Sequence, residues 1–187
     1  MSEPIGTILR VEAIVTSLVD VFDFASARCL ERIEGMSDAE YLWAPAPGCW
    51  TITEASPGVW TLDGGDVTTD PPPLTTIAWR TCHIGGHVLG GFANWLCDGG
   101  PPMQGDPEIP PDAARALAFL DRNSRRWRDG MTAFPEDRLW DAIGPQFGPF
   151  SEASAVDLIL HVLDEFIHHG AEIGLLRDLY ARLGTKA

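Results

Sequence analysis

The chain contains no apolar run approaching the ~20 residues that would cross a bilayer, so a membrane span is not expected. Its first residues, Met-Ser-Glu-Pro-Ile-Gly, carry neither a basic nor an apolar stretch, and no export signal is expected there. Basic residues are scarce: 13 Lys and Arg against 27 Asp and Glu leave a net charge of -14. That charge repels phosphate backbones and anionic lipid surfaces, which argues against nucleic acid and membranes as partners. Cysteine is sparse too. Cys29, Cys49, Cys82 and Cys97 form no C-x-x-C pair, and a cytoplasmic chain of this size has no need of disulfides. Reduced thiols, partly in the core, are expected. Cys82 adjoins His83, but helix neighbours point about 100° apart, so it is not taken as a ligand. Internal repeats and low-complexity segments are absent. The composition is otherwise that of a soluble globular protein, 45% hydrophobic and 21% charged. One domain over residues 1–187, located in the cytoplasm, is the expectation.

Apolar spacing of three and four predicts the helices. The first covers 8–35, with Val11, Ile14, Val15, Leu18, Phe22, Ala25, Cys29 and Ile33 on one face and Gly35 at its end. Ser37 and Glu40 have capping-box spacing and open a short turn of helix through Trp43. Residues 44–73 are too rich in Pro and Gly for helix. Two β-prone runs there, Cys49–Thr53 and Val59–Leu62, suit a small hairpin anchored by Trp50 and Trp60.

A second helix is expected over 75–97, with Ile77, Ile84, Val88, Phe92 and Trp95 as its core stripe. Gly85-Gly86 and Gly90-Gly91 interrupt it. Each mid-helix glycine costs roughly 0.5–1 kcal/mol relative to alanine. A close helix approach, or room for a ligand, has to justify them. Pro111 and Asp112 open a third helix running to about Gly130, with Ala113, Ala116, Leu117, Leu120 and Trp127 inward. Arg122, Arg125, Arg126 and Arg128 make its second half basic, either complementing the helix dipole or offering a site for a substrate carboxylate. Ser154 and Asp157 cap a fourth helix that runs to Leu183. The sum is an all-α four-helix bundle with a long loop and small hairpin between the first two long helices.

The five histidines fall on only two of these helices. His83 and His87 lie four apart on the second, on the flank of its apolar stripe. On the fourth, His161, Glu165, His168, His169 and Glu172 project to one side. Imidazole and carboxylate from two packed helices are what a divalent metal in a bundle core needs, with three protein ligands and one open position for a catalytic ion. His83 is the candidate from the second helix, ahead of His87. On the fourth the candidate pairs are Glu165 with His169, Asp164 with His168, and His161 with Glu165. His168 and His169 are adjacent, so they cannot share one direction. Glu165-x-x-His168 also has di-iron spacing, but no second copy accompanies it.

Three segments carry a resemblance: Thr76-Ile-Ala-Trp-Arg-Thr-Cys-His83-Ile, the run from Glu165 through His168-His169-Gly-Ala-Glu172 to Tyr180, and Met36–Trp43 followed by Gly48-Cys-Trp50. Together they resemble the DinB-like superfamily, in its actinobacterial branch. The resemblance implies a four-helix bundle holding a divalent metal, most often zinc or nickel, through three residues. One is a second-helix histidine, matched by His83; two lie four apart on the fourth helix. The usual fourth-helix pattern there, His-x-x-x-His followed closely by Gly-Gln, is not met. Alignment on Leu176-Arg177 selects Asp164 and His168, whereas alignment on the glycine selects Glu165 and His169. The second pair resembles a thiol-dependent isomerase branch and lies closer to the Val162, Phe166, Ile173 and Leu176 stripe, so it is preferred, with His168 kept as the alternative. The resemblance further implies a thiol-dependent S-transferase or isomerase acting on a small molecule with a low-molecular-weight thiol such as mycothiol or bacillithiol. A non-catalytic bundle with a degenerate metal site is the other reading, and a homodimer stays open.

Overall fold

A computed structural model describes residues 5–64, 70–102 and 108–184, with the backbone alone for 5–13. The inward position expected at Val11 therefore lies outside the described side chains. Four long helical units carry the described fold. Helix α1 spans Ile5–Ile33 and is followed by the single turn α2, Asp38–Tyr41. The second long unit is composite: α3, Ile77–Cys82, a π-helical stretch His83–Gly90, then α4, Gly91–Asp98. Helix α5 spans Ala113–Ala133 and α6 spans Ala155–Leu183. Helix α1 packs between α5 and α6, and the composite unit packs against the same two helices from the other side. This is the expected all-α bundle, with the expected hairpin: β1, Ile52–Ser56, pairs antiparallel with β2, Val59–Leu62, in the register Ile52 to Leu62.

Burial follows the apolar stripes. Phe22 and Ile33 of α1, Leu120 and Trp127 of α5, and Val162, Phe166 and Ile173 of α6 are sealed from solvent. Ile77, Ile84 and Leu89 fill the same core from the composite unit. The buried Tyr41 hydroxyl donates to the Pro110 carbonyl at 2.8 Å, so the α2 turn covers one end of the core without leaving a polar group unpaired. Ser154 and Asp157 form a full capping box at the start of α6. Ser37 forms half of one: its hydroxyl accepts from Glu40 N at 3.2 Å. The Glu40 carboxylate turns instead to Arg177 of α6, with Nε to Oε1 at 2.6 Å and Nη2 to Oε2 at 3.2 Å. Arg177 Nη1 donates to the Arg32 and Glu34 carbonyls as well, so one guanidinium ties α6 to the end of α1 and to α2.

The composite unit departs from a regular helix. In an α-helix the face bearing His83 and His87 would continue at Gly91. The wide π turns delay it to Phe92, whose ring meets His161 of α6 at 5.9 Å. Phe92, expected in the core stripe, is therefore half-buried at the edge of the histidine face and stacks on Phe147. Glycine 85 shows why this stretch carries small residues. A Cβ placed there would lie 2.5 Å from the Phe119 ring of α5, and Phe119 is itself buried. Close helix approach, not ligand room, accounts for that glycine.

Gly85→Ala is expected to destabilise the fold by about 1–3 kcal/mol, the usual penalty for overpacking. A lower urea midpoint would show it. Adding Phe119→Leu should recover part of the loss, which a double-mutant cycle measures directly.

Candidate metal centre

The Thr76 hydroxyl accepts from Trp79 N at 3.2 Å and so starts α3, which places Trp79 and Arg80 one turn before His83, with Arg80 and His83 reaching α6. Helix α6 answers with Glu165, His169 and Glu172, spaced four and three apart so that they share a face. His83 Nε2 lies 3.2 Å from Glu165 Oε2, and His169 Nε2 lies 3.3 Å from the same oxygen. One donor atom from each of the three residues falls within 4.8 Å of the others. Their side chains are 24%, 28% and 11% exposed for His83, Glu165 and His169, so the group is walled by protein yet open on one side.

The far side of His169 fixes which nitrogen faces inward. His169 Nδ1 sits 2.6 Å from Glu172 Oε2. Partial burial raises the Glu172 pKa, but the His169 hydrogen bond and the Arg80 charge outweigh it and hold the carboxyl below its ordinary range. An ionised carboxylate only accepts, so the proton of that short contact belongs to Nδ1. Arg80 neutralises the same carboxylate, with Nε 2.8 Å from Oε2 and Nη2 3.3 Å from Oε1. Arg80 Nη1 also lies 3.1 Å from His169 Nδ1. With that nitrogen protonated, this approach is proximity and not a hydrogen bond. His169 Nε2 is therefore the nitrogen left to face Glu165.

Glu165 is ionised as well. Burial raises its pKa, but the His83 hydrogen bond and the nearby imidazoles lower it further than burial lifts it. For His83 the balance is reversed: burial depresses the pKa more than Glu165 raises it, so the ring is neutral near pH 7. His169 Nε2 and the Glu165 carboxylate face each other across 3.3 Å, a separation that a proton or a cation between them holds. A tetrahedral shell with bonds of about 2.0–2.1 Å has ligand-to-ligand edges of about 3.3–3.4 Å. The donor set, two imidazoles and one carboxylate, and the two nitrogen-to-Glu165 distances therefore fit a divalent ion with one position left open.

The other candidates lie elsewhere. His168 is 62% exposed, with Nε2 3.4 Å from Glu172 Oε1. It belongs to a second grouping, His168, His169 and Glu172, on the outer side of His169. Asp164 is exposed and enters neither grouping. His161 packs edge-on against Phe92 at the rim, and the His87 ring sits 6.0 Å from that of His83. Cys82 is fully buried, and burial pushes its thiol up to about 12, far from a thiolate. The basic half of α5 provides no anion site at the metal group. Arg122 pairs with Glu108, Arg125 with Asp121, Arg126 with Asp98 and Arg128 with Asp23. Sequence reasoning passed over Arg80, although its place one turn before His83 was the available signal.

Nitrogen NMR of the metal-free protein is expected to show His169 as the Nδ1–H tautomer. Glu172→Ala should move it to a mixture of tautomers; an unchanged tautomer would contradict the orienting role given to Glu172.

A family model for the DinB superfamily matches residues 22–173, a span that runs from α1 into α6 and contains His83, Glu165, His168, His169 and Glu172. No curated protein and no solved structure matches the chain. The family match covers most of the sequence and agrees with the helical architecture on which the histidines are mounted. The chain belongs to the DinB superfamily.

Proposed function

We propose that the protein is a metal-dependent enzyme of the thiol-using kind, an S-transferase or isomerase, with His83, Glu165 and His169 as the ligands of a zinc or nickel ion. The observation that carries the reading is the convergence of His83 Nε2, His169 Nε2 and one Glu165 oxygen, both imidazole nitrogens lying 3.2–3.3 Å from that oxygen. A divalent ion satisfies all three donors at once. Glu172 keeps the proton on Nδ1, and Arg80 keeps Glu172 ionised and in place. A divalent ion there supplies a lowered pKa for a bound thiol, so that thiolate is available near neutral pH.

The chain's own residues shape what can approach. Trp79, His87, Phe92 and His161 lie around the group, giving it a mostly aromatic border. In transfer, sulfur forms a bond to the electrophilic carbon as that carbon's bond to its leaving group breaks, and the thiol proton passes to solvent. The low-molecular-weight thiol comes from the resemblance to the DinB-like superfamily, which includes thiol-using transferases, and from the likeness of the Glu165-x-x-x-His169 pair to a thiol-dependent isomerase branch. A non-catalytic bundle with an altered ligand set is the competing reading, favoured by the glutamate at 165 in place of the more usual histidine.

Elemental analysis of protein purified without chelator or affinity tag should find stoichiometric divalent metal. His83→Ala and Glu165→Gln should lose it, and His168→Ala should keep it. The loaded wild type should then couple a low-molecular-weight thiol to members of an electrophile panel and stop when a chelator is added. Metal without any thiol consumption would favour the non-catalytic bundle.

A further inference from the structure

The two histidines of the group are held in different ways. The outer nitrogen of His169 is fixed by Glu172. Among the described residues, no hydrogen bond holds the other ring nitrogen of His83. Its plane is set by Trp79 instead, one helical turn earlier: the rings stack with centroids 5.2 Å apart and planes 16° from parallel. The indole is immobilised in turn. Its Nε1 donates to the Asp63 carbonyl at 2.7 Å, the Trp50 ring packs 5.6 Å away, and the Arg80 guanidinium lies 5.2 Å from its centroid.

Asp63 belongs to the base of the hairpin, and that base is closed on itself. Thr51 N donates to the Asp63 carboxylate at 2.8 Å, and Asp63 N donates to the Thr51 carbonyl at 2.9 Å. The Thr76 hydroxyl, which caps α3, also bonds the Thr51 hydroxyl at 3.1 Å. Trp50 and Thr76 exchange backbone bonds with this segment: Trp50 N donates to Leu74 O and Thr76 N to Trp50 O. The hairpin base, the α3 cap and the indole are thus one bonded unit. Arg80, packed on that indole, also pairs with the Glu172 that orients His169. The supports of both histidines meet at the same point.

We propose that Trp79 is a positioning residue for His83, anchored through Asp63 by the hairpin, and that this is the hairpin's contribution to the metal group. The inference rests on the metal reading above. The χ2 torsion of histidine is broad, and a working ligand has to be held within about 10–20° of its required orientation. Where the outer nitrogen has no partner, a flat, fixed neighbour is what remains to do so. Such outer supports typically change metal affinity by about 10–100-fold.

The test uses the full chain, loaded with Co2+ and then competed with a chromophoric chelator, with the visible Co2+ bands recorded beside the affinity. Trp79→Leu should bind about 10–100-fold more weakly, with shifted bands. Trp79→Phe keeps a flat ring but loses the indole N–H to Asp63, so it should recover part of the affinity and not all of it. Asp63→Ala keeps the carbonyl that accepts from the indole but removes the carboxylate that closes the hairpin base on Thr51 N, so it should move affinity and bands in the same direction as Trp79→Leu but less. If Trp79→Leu does not fold, Trp79→Phe and Asp63→Ala decide the matter, and unchanged affinity and bands in both overturn the positioning role. Lower thermal stability with unchanged affinity and bands would mean a merely structural tryptophan and overturn the positioning role alone. A wild type that takes up no metal would overturn the metal reading and this inference with it.

Discussion

The packing of the second helical unit against α6 at His83 is the constraint on which the site depends. It sets a histidine from that unit against Glu165, 82 positions later in the chain. The wide turns that follow His83 leave Phe92 at the edge of the same face, where a regular helix would have placed a glycine. Irregular turns of this type weaken the local hydrogen-bond ladder and recur at functional sites. Here the stretch is clamped on two sides, by Phe119 of α5 against Gly85 and by α6. Small residues are needed because the clamp is tight.

Electrostatics complete what the backbone begins. The protein is strongly acidic, and the arginines on its long helices are put to distinct uses: four guanidiniums of α5 pair outward, Arg177 bolts α6 to α1 and α2, and Arg80 faces the histidines. Arg80 bears most directly on chemistry. By neutralising Glu172 it allows that carboxylate to sit beside a second one, Glu165, on the same helix face. Glu172 then orients His169, and its Nε2 is left facing Glu165. On the outer side of His169 an arginine answers the carboxylate; on the inner side, among the described residues, Glu165 meets only histidines, and the metal reading rests on that difference.

Much of the fold was legible because it obeys simple periodicity. The stripes of α1, α5 and α6 and the capping box at Ser154 follow from residue spacing alone. The hairpin was legible from β-prone runs between turn residues, although the first strand begins at Ile52 and not at Cys49. The π stretch was not. Its glycines were visible, but a pattern analysis assumes constant phase along a helix, and Phe92, expected fully inside, packs half-buried against the edge of the core. At the candidate site, the sharing of one α6 face by Glu165, His169 and Glu172 could be read from spacing. Which of His168 and His169 turns toward His83 could not, because adjacent residues differ by only about 100° and the choice depends on how α6 is rotated in the bundle. The partners of the α5 arginines were equally hidden: Glu108, Asp98 and Asp23 come from other segments, and only tertiary packing brings them near.

The most direct test of the account is anomalous diffraction from crystals of the metal-loaded protein, collected on both sides of the absorption edge of the bound ion. The account predicts a single peak about 2.0–2.2 Å from His83 Nε2, a Glu165 oxygen and His169 Nε2. A peak seated instead between His168 and Glu172, or no peak at either group, would contradict it.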